Sequence, residues 1–340
     1  MWEGRALGAR RDIAALAKAG LGIAELHAAA IDLVDRVVPA DLSCWAMLDP
    51  DTTAISSMTS GAARVPPRYD PLLAEFEYGG TEPHTFTELA RRPVPVARLS
   101  DLSRRVRERS GRVNEVWRPL GLSHELRTVF RVGPVPWGAA GMVRRGEFSD
   151  REVEFMAALA PALAAATRVA ARTGGHRGDG ESAVVVAGPD GALRAATAAV
   201  EAWRAQLDRL GPNRFAVLLR AVVVGARAAA SGSFVVRVRA AAGGWILLRG
   251  DRLLSGGEDG DETVVTLDWA RGEELRRLIF AAHGLSARER DVCHEVLAGR
   301  PTSEIAAALA ISGHTVQDHL KSVFAKLGVR SRGELVAALA

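Results

Sequence analysis

Lysine is scarce in this chain of 340 residues, and its scarcity excludes a large class of enzymes. Of the 44 lysines and arginines, only Lys18, Lys321 and Lys326 are lysines. A P-loop, the phosphate-binding segment of many nucleotide hydrolases, needs a lysine directly after a glycine. No lysine here follows a glycine, so the chain is not a P-loop NTPase.

Residues that bind metals or form disulfides are also few. Cys44 and Cys293 are the only cysteines, too few for a disulfide framework, and each stands among apolar neighbours. We expect both to be buried as small hydrophobic residues. His27, His84 and His124 are scattered without metal-ligand spacing, so we expect structural roles for them. No metal and no cofactor are expected.

Long apolar runs and targeting signals are missing as well. No stretch approaches the roughly 18 to 20 uncharged apolar residues that span a bilayer. The N-terminal residues contain no sustained apolar segment followed by a cleavage site. With 48% hydrophobic and 25% charged residues, the composition is that of a globular protein. We therefore expect a cytoplasmic protein with no membrane partner.

Glycine-rich polar segments divide the chain. Residues 173–182 are predicted to be a linker, and residues 254–262, flanked by strand-like runs, a loop inside a domain. A short hinge is predicted at 282–284. The chain is long enough for two or three domains, and we predict them at 1–172, 183–270 and 284–340.

The first segment, 1–172, has the pattern of an α+β domain. A helical pattern at 13–38 precedes two strands joined by a turn at 49–51. Two further strands are predicted on either side of a turn at 133–136. Ser149 and Glu152 form a capping box that opens a helix. An apolar stripe along that helix can bury against its own domain or against a partner subunit, and we favour the partner subunit; it comprises Phe155, Leu159 and Leu163.

This segment resembles a GAF-like sensor domain of the kind found in actinobacterial LuxR regulators. The resemblance rests on DLSCWAMLDPDT, RPLGLSHELRTVF and GEFSDREVEFMAALAPALA. It implies either a site for a small organic ligand or a structural domain that binds none. Trp45 and Trp137 lie in predicted strands, where they either line a pocket or pack in the core.

The second segment, 183–270, predicts a smaller α+β domain. A hairpin with its turn at 189–191 is followed by helices, one of which carries Trp203 and Leu207. A second hairpin and a last strand, ETVVTLDWA, complete it. This order of one hairpin, helices and three strands resembles a PAS-type domain.

The third segment, 284–340, is predicted to contain four helices. Ser286 with Glu289 and Ser331 with Glu334 form capping boxes, and Ser312 is the expected N-cap of a third helix. A short helix from Thr302 and a longer one ending at Leu327, joined by a tight turn, have the helix-turn-helix arrangement. In the longer helix an apolar stripe must face the core: Val316, Leu320, Val323 and Leu327.

This segment closely resembles the LuxR family over LSARERDV, EIAAALAIS, TVQDHLKSVFAKLGV and SRGELV. The resemblance implies binding to double-stranded DNA through the longer helix. It places Gln317, Asp318 and Lys321 at base-reading positions. It places Thr315, His319 and Lys326 at positions that contact the DNA backbone. Gln317 stands where the family usually has lysine. Pro301 replaces the serine that caps the preceding helix, so Thr302 is expected to supply that cap.

The expected function is that of a one-component DNA-binding transcription regulator with N-terminal sensor domains. From Gly284 onward seven basic residues oppose six acidic ones, so one copy would bind DNA weakly and a homodimer is expected. RNA polymerase is a further candidate partner. The alternatives are a sigma-factor-like initiation protein and an enzyme fused to a DNA-binding domain. No G-x-S-x-G, H-E-x-x-H or C-x-x-C motif supports the enzyme.

Overall fold

The chain divides into two compact units, Met1–Trp269 and Ala270–Ala340, called the first and second unit below. The computed structural model describes residues 2–172, 180–241, 243–253 and 262–339. Most of the predicted linker at 173–182 and nearly all of the predicted loop at 254–262 lie outside the described residues.

The first half of the first unit, residues 2–172, is built on an antiparallel sheet of five strands in the order β2-β1-β5-β4-β3. The strands are β1 (Leu42–Leu48), β2 (Ile55–Ser60), β3 (Val96–Arg98), β4 (His124–Val132) and β5 (Val135–Arg144). The helices are α1 (Trp2–Leu16), α2 (Ile23–Asp35), α3 (Asp70–Tyr78), α4 (Phe86–Arg91), α5 (Arg104–Arg109) and α6 (Asp150–Ala170). A π-helical segment, Arg112–Trp117, lies between α5 and β4.

Helix α6 corrects one expectation from the sequence. Its capping box is confirmed, because Glu152 accepts hydrogen bonds from the backbone and the hydroxyl of Ser149. The predicted partner-facing stripe is wrong, because Phe155, Leu159 and Leu163 are buried within the first unit, where α6 packs against β4, β5 and α1. Helical spacing identifies the apolar face of a helix but not the surface that covers it.

Helix α6 is also the only described helix long and apolar enough to cross a membrane. Half of its apolar window is buried inside the protein. It is therefore accounted for as a core helix of the first unit.

The two tryptophans left open by the sequence are core residues. The ring of Trp45 lies 5.1 Å from that of Phe130 and 6.0 Å from that of His27, measured between centroids. Trp137 is likewise buried. His27 is structural as expected: its Nε2 lies 3.2 Å from the hydroxyl of Thr167, and burial lowers its pKa to about 4. The ring is thus neutral at physiological pH.

The second half of the first unit, residues 180–269, repeats the strand order of the first, as β7-β6-β10-β9-β8. Its strands are β6 (Ala183–Ala187), β7 (Leu193–Ala196), β8 (Ser233–Arg239), β9 (Trp245–Arg252) and β10 (Thr263–Trp269). Two helices, α7 (Val200–Asp208) and α8 (Arg214–Ala228), stand between the second and third strands. The predicted order of a hairpin, helices and three strands is confirmed.

A buried ion pair joins the two halves. Arg237 on β8 donates to both carboxylate oxygens of Asp49, at 2.6 and 2.9 Å, and to Asp51 at 2.5 Å. Arg237 and Asp49 are almost completely shielded from solvent. Asp49 also accepts the backbone N–H groups of Asp51 and Thr52, which form the predicted turn between β1 and β2. One carboxylate therefore both shapes this turn and binds the second half.

The second unit consists of five helices among its described residues. They are α9 (Gly272–His283), α10 (Ala287–Leu297), α11 (Thr302–Ala308), α12 (Gly313–Leu327) and α13 (Arg332–Leu339). The predicted hinge at 282–284 is wrong, because Ala282 and His283 end α9 and Gly284 caps it with a left-handed φ of 66°. Phe280 of α9 packs in the same core as the four predicted helices.

Removing the Asp49 carboxylate should destabilise the first unit strongly. Asp49→Ala leaves the buried Arg237 charge without its main partner, a loss of about 3 to 5 kcal/mol in the free energy of unfolding. Asp51→Ala is the matched control: its carboxylate is 40% exposed, so we expect a loss of at most about 1 kcal/mol. All seven tryptophans lie at or before Trp269, so urea unfolding followed by tryptophan fluorescence reports on the first unit alone. Equal losses for the two variants would contradict this role for Asp49.

Candidate nucleic-acid interface

Helices α11 and α12 form a helix-turn-helix pair. The turn at 309–312 contains Ala310 in the left-handed region, at a φ of 50°. The hydroxyl of Ser312 accepts the Thr315 N–H at 3.0 Å, so the predicted N-cap of α12 is confirmed. Gly328, with a φ of 71°, ends the helix where the sequence predicted. The beginning and end of α12 are therefore set by local chemistry.

The predicted core face of α12 is confirmed. Val316, Leu320 and Val323 are buried, and Leu327 packs against the same core while partly exposed. They contact residues of α10, α11 and α13, including Val292, Ile305 and Leu335. Since these side chains occupy one face, the opposite face of α12 must lie toward solvent.

The three residues predicted to read bases lie on that exposed face. Gln317, Asp318 and Lys321 are all exposed. The Asp318 carboxylate lies 3.3 Å from the Lys321 amine and 3.5 Å from Nε2 of His314. The structure thus brings Gln317, Asp318 and Lys321 together on one accessible surface, without placing DNA on it.

The predicted backbone-contacting residues are less accessible. Thr315 and His319 are half-buried at the flanks of α12. The Thr315 hydroxyl lies 2.8 Å from that of Ser312, within the cap of the helix.

Pro301 precedes α11 and provides no side-chain hydrogen bond to its first turn. The expectation that Thr302 supplies the cap is wrong, because Thr302 is itself the first helical residue. Its hydroxyl instead accepts a hydrogen bond of 3.2 Å from Nε2 of Gln317. This contact links α11 to α12. It does not follow from sequence spacing, because the two residues lie on different helices, 15 positions apart.

Lys326 occupies a different environment from Lys321. Its amine lies 2.6 and 2.8 Å from the two carboxylate oxygens of Glu289 and 3.2 Å from the carbonyl of Gly284. Glu289 is buried, and it also accepts the Ser322 hydroxyl and the Ser286 N–H, each at 2.6 Å. The sequence predicted the capping role of Glu289. It missed the contacts with α12, which lie 33 and 37 positions away.

Comparison with known proteins agrees with this geometry. Residues 283–339 match the family described as bacterial regulatory proteins of the luxR family. Residues 283–339 form a LuxR-type DNA-binding domain.

Individual relatives share only part of this chain. A protein of Mycobacterium bovis described as an HTH-type transcriptional regulator is 42% identical over 79 residues, which are 22% of this chain and 8% of the relative. The spore germination protein GerE of Bacillus subtilis is 40% identical over 55 residues, 16% of this chain and 74% of GerE. A crystal structure of the phage VqmA-DPO complex is 16% identical and covers 46% of this chain and 79% of that chain, with a TM-score of 0.23.

The charge of Glu289 stabilises the LuxR-type domain. Burial alone would raise the pKa of Glu289, but hydrogen bonds from Lys326, Ser322 and Ser286 outweigh burial and lower it to about 2. An unfolded glutamate has a pKa of about 4.3. Because the folded pKa is the lower one, this stabilisation is complete above about pH 4.3 and is lost as the pH falls toward 2.

Glu289→Gln should therefore weaken the LuxR-type domain at neutral pH and remove much of its acid sensitivity. We expect a loss of about 2 to 3 kcal/mol, since hydrogen bonds to a charged group are lost. Thermal melting followed by helical circular dichroism measures it, while tryptophan fluorescence tracks the first unit separately. Glu334→Gln is the matched control, because Glu334 stands three residues after Ser331, as Glu289 stands after Ser286, but is exposed. If both variants melt alike, Glu289 has no special role.

Proposed function

We propose that this protein is a transcription regulator that binds a specific DNA sequence by inserting α12 into the major groove. The observation that carries the proposal is the exposed face of α12, where Gln317, Asp318 and Lys321 lie together on a helix fixed by its core. The major groove, about 12 Å wide, accommodates one helix and displays a different pattern of donors and acceptors for each base pair.

Gln317 and Lys321 are proposed to read bases. They stand one turn apart, so both can reach one stretch of groove. A glutamine amide has two N–H donors and one acceptor oxygen, and the contact with Thr302 uses only one N–H. The other N–H and the oxygen can pair with adenine, while the Lys321 amine suits the acceptors of guanine.

Thr315 and His319 are proposed to contact the DNA backbone from the flanks of α12. Lys326 is the exception among the residues that the LuxR resemblance assigns to the backbone. A lysine amine has three donors, and Lys326 has three acceptor oxygens within hydrogen-bond distance. Binding a phosphate would require it to give up part of the Glu289 pair. We therefore assign Lys326 mainly to holding α12 in place.

Substitutions at Gln317 and Lys326 should separate base reading from support of the helix. Gln317→Ala should weaken binding to the cognate site by about 1 to 3 kcal/mol and leave binding to random DNA unchanged. Lys326→Met should lower the melting temperature of the LuxR-type domain. It should leave the slope of log affinity against log salt as in the wild type.

Titration of cognate and scrambled duplexes at several salt concentrations measures both effects. The cognate duplex comes from genomic fragments selected by the full-length protein. Equal losses on both duplexes for Gln317→Ala would contradict base reading. A slope reduced by about one unit in Lys326→Met would show that this lysine binds a phosphate after all.

A homodimer is part of the proposal. The LuxR-type domain carries nearly balanced charge, so one copy gains little from phosphate neutralisation, whereas two copies on a two-fold site double their contacts. Light scattering of the full-length chain at micromolar concentration should give twice the monomer mass. A monomer both alone and bound to its operator would contradict the dimer.

RNA polymerase is proposed as a further partner of the DNA-bound form.

The first unit is proposed to be the sensor, composed of a GAF-like and a PAS-like domain, in a cytoplasmic protein that is not an enzyme. Two sheets with one strand order, each with helices between its second and third strands, support this assignment. The same sheets disfavour the sigma-factor alternative, which requires an upstream helical region. A small organic ligand is the proposed signal.

A further inference from the structure

The first unit contains a cavity of about 900 Å³ lined by both of its halves. The first half contributes β1, β2, β5 and α3, and the second contributes the start of α8 and the end of β8. This volume lies in the range of sites for small organic molecules. Apolar side chains outnumber charged ones in the lining, and they include Ala46, Ile55, Leu73, Phe86, Val217 and Leu218.

Two small residues of the first sheet, Cys44 and Gly141, form one wall of the cavity. They are paired across β1 and β5, which have neighbouring strands on both sides, yet each is only half-buried. The expectation that Cys44 is fully buried is therefore wrong. A Cβ added to Gly141 would find its nearest neighbour at 3.8 Å, so the space above this residue is open.

Arg214, the first residue of α8, supplies to the cavity a positive charge that no described carboxylate binds directly. Among the described residues its guanidinium has no hydrogen bond and no ion pair, whereas the four other cavity arginines have partners. Arg239 donates to the carbonyl of Ala171 at 3.5 Å. Arg112 pairs with Glu125 at 3.1 Å, Arg127 with Glu77 at 2.5 Å, and Arg64 with Asp70 at 3.7 Å. Burial lowers the pKa of Arg214, and Tyr78 and Asp70 are among its electrostatic neighbours. An arginine stays charged in proteins, so an anion bound in the cavity would balance the charge of Arg214.

We propose that this cavity binds a small amphipathic organic monoanion whose carboxylate pairs with Arg214. Its apolar body would lie along Gly141 and Cys44, in the space that the first sheet leaves open. One cation without a directly bonded counter-ion matches a single negative charge, and the planar guanidinium matches the geometry of a carboxylate. This inference rests on the proposed sensor role of the first unit and specifies the chemistry of its signal.

Isothermal titration of the full-length chain with sodium octanoate and with octylammonium chloride tests the charge. The two probes share a chain length and differ in the sign of the head group. We expect octanoate to bind and octylammonium not to bind. Arg214→Met should weaken octanoate binding by about tenfold or more. Arg209→Met removes the same charge from an exposed position five residues earlier and should change nothing.

A second variant tests the location. Gly141→Val fills the open space with a residue that favours strands, so octanoate binding should be lost while the unfolding midpoint is kept. Gly146→Val, in an exposed loop after β5, is its control. The proposal is overturned if octanoate does not bind at millimolar concentration, if octylammonium binds equally well, or if Arg214→Met or Gly141→Val binds octanoate as the wild type does.

DNA binding is measured on the same variants to separate this inference from the proposed function. A protein that binds operator DNA but fails the octanoate tests loses only the ligand assignment. A protein that binds octanoate at Arg214 but selects no DNA sequence loses the proposed function and keeps the site.

Discussion

The buried carboxylate of Glu289 helps to fix how the exposed face of α12 is presented. The apolar stripe of α12 sets which face of the helix is buried in the core of the LuxR-type domain, but hydrophobic burial has no direction of its own and defines the rotation only coarsely. Hydrogen bonds do have direction, and Glu289 accepts them from the start of α10 and from Ser322 and Lys326 on α12. A buried charge is tolerated only when such partners offset its desolvation. The rotation that satisfies Glu289 is therefore the one that points Gln317 and Lys321 at solvent.

The first unit contains two arginines in opposite situations: the charge of Arg237 is neutralised by the protein itself, and that of Arg214 is not bonded directly by any described residue. Arg237 is buried, and two carboxylates of the opposite half neutralise it, so it joins the halves. Arg214 lies at the same junction without a partner among the described residues. The two arginines differ in what surrounds them rather than in chemistry: one completes the protein's own ion pair, and the other leaves a charge that a ligand can satisfy. The junction between the halves is thus held by Arg237, while Arg214 in the same region is available to the proposed ligand.

Local signals made the LuxR-type domain predictable, whereas contacts between distant residues did not follow from the sequence. Ser286 and Glu289, or Ser312 and Thr315, lie within one helical turn, so their hydrogen bonds can be inferred from spacing. The sequence predicts that the apolar stripe of α6 faces a partner, which is wrong, because periodicity does not show which surface covers a helix. Helix α9 was missed, since 272–283 has no side-chain N-cap to mark its start. The Glu289–Lys326 pair, the Arg237–Asp49 pair and the position of Arg214 in the cavity arise only after folding.

The junction between the two halves limits how the proposed signal acts. Coupling between two ligands is typically worth about 1 to 3 kcal/mol, and it is reciprocal, so under the proposed function the signal and DNA alter each other's affinity equally. Both halves line the cavity, and Arg237 joins them through Asp49 and Asp51, so a ligand bound beside Arg214 contacts both halves instead of separating them. It acts on the first unit as one body, favouring whichever arrangement of that unit it binds more tightly.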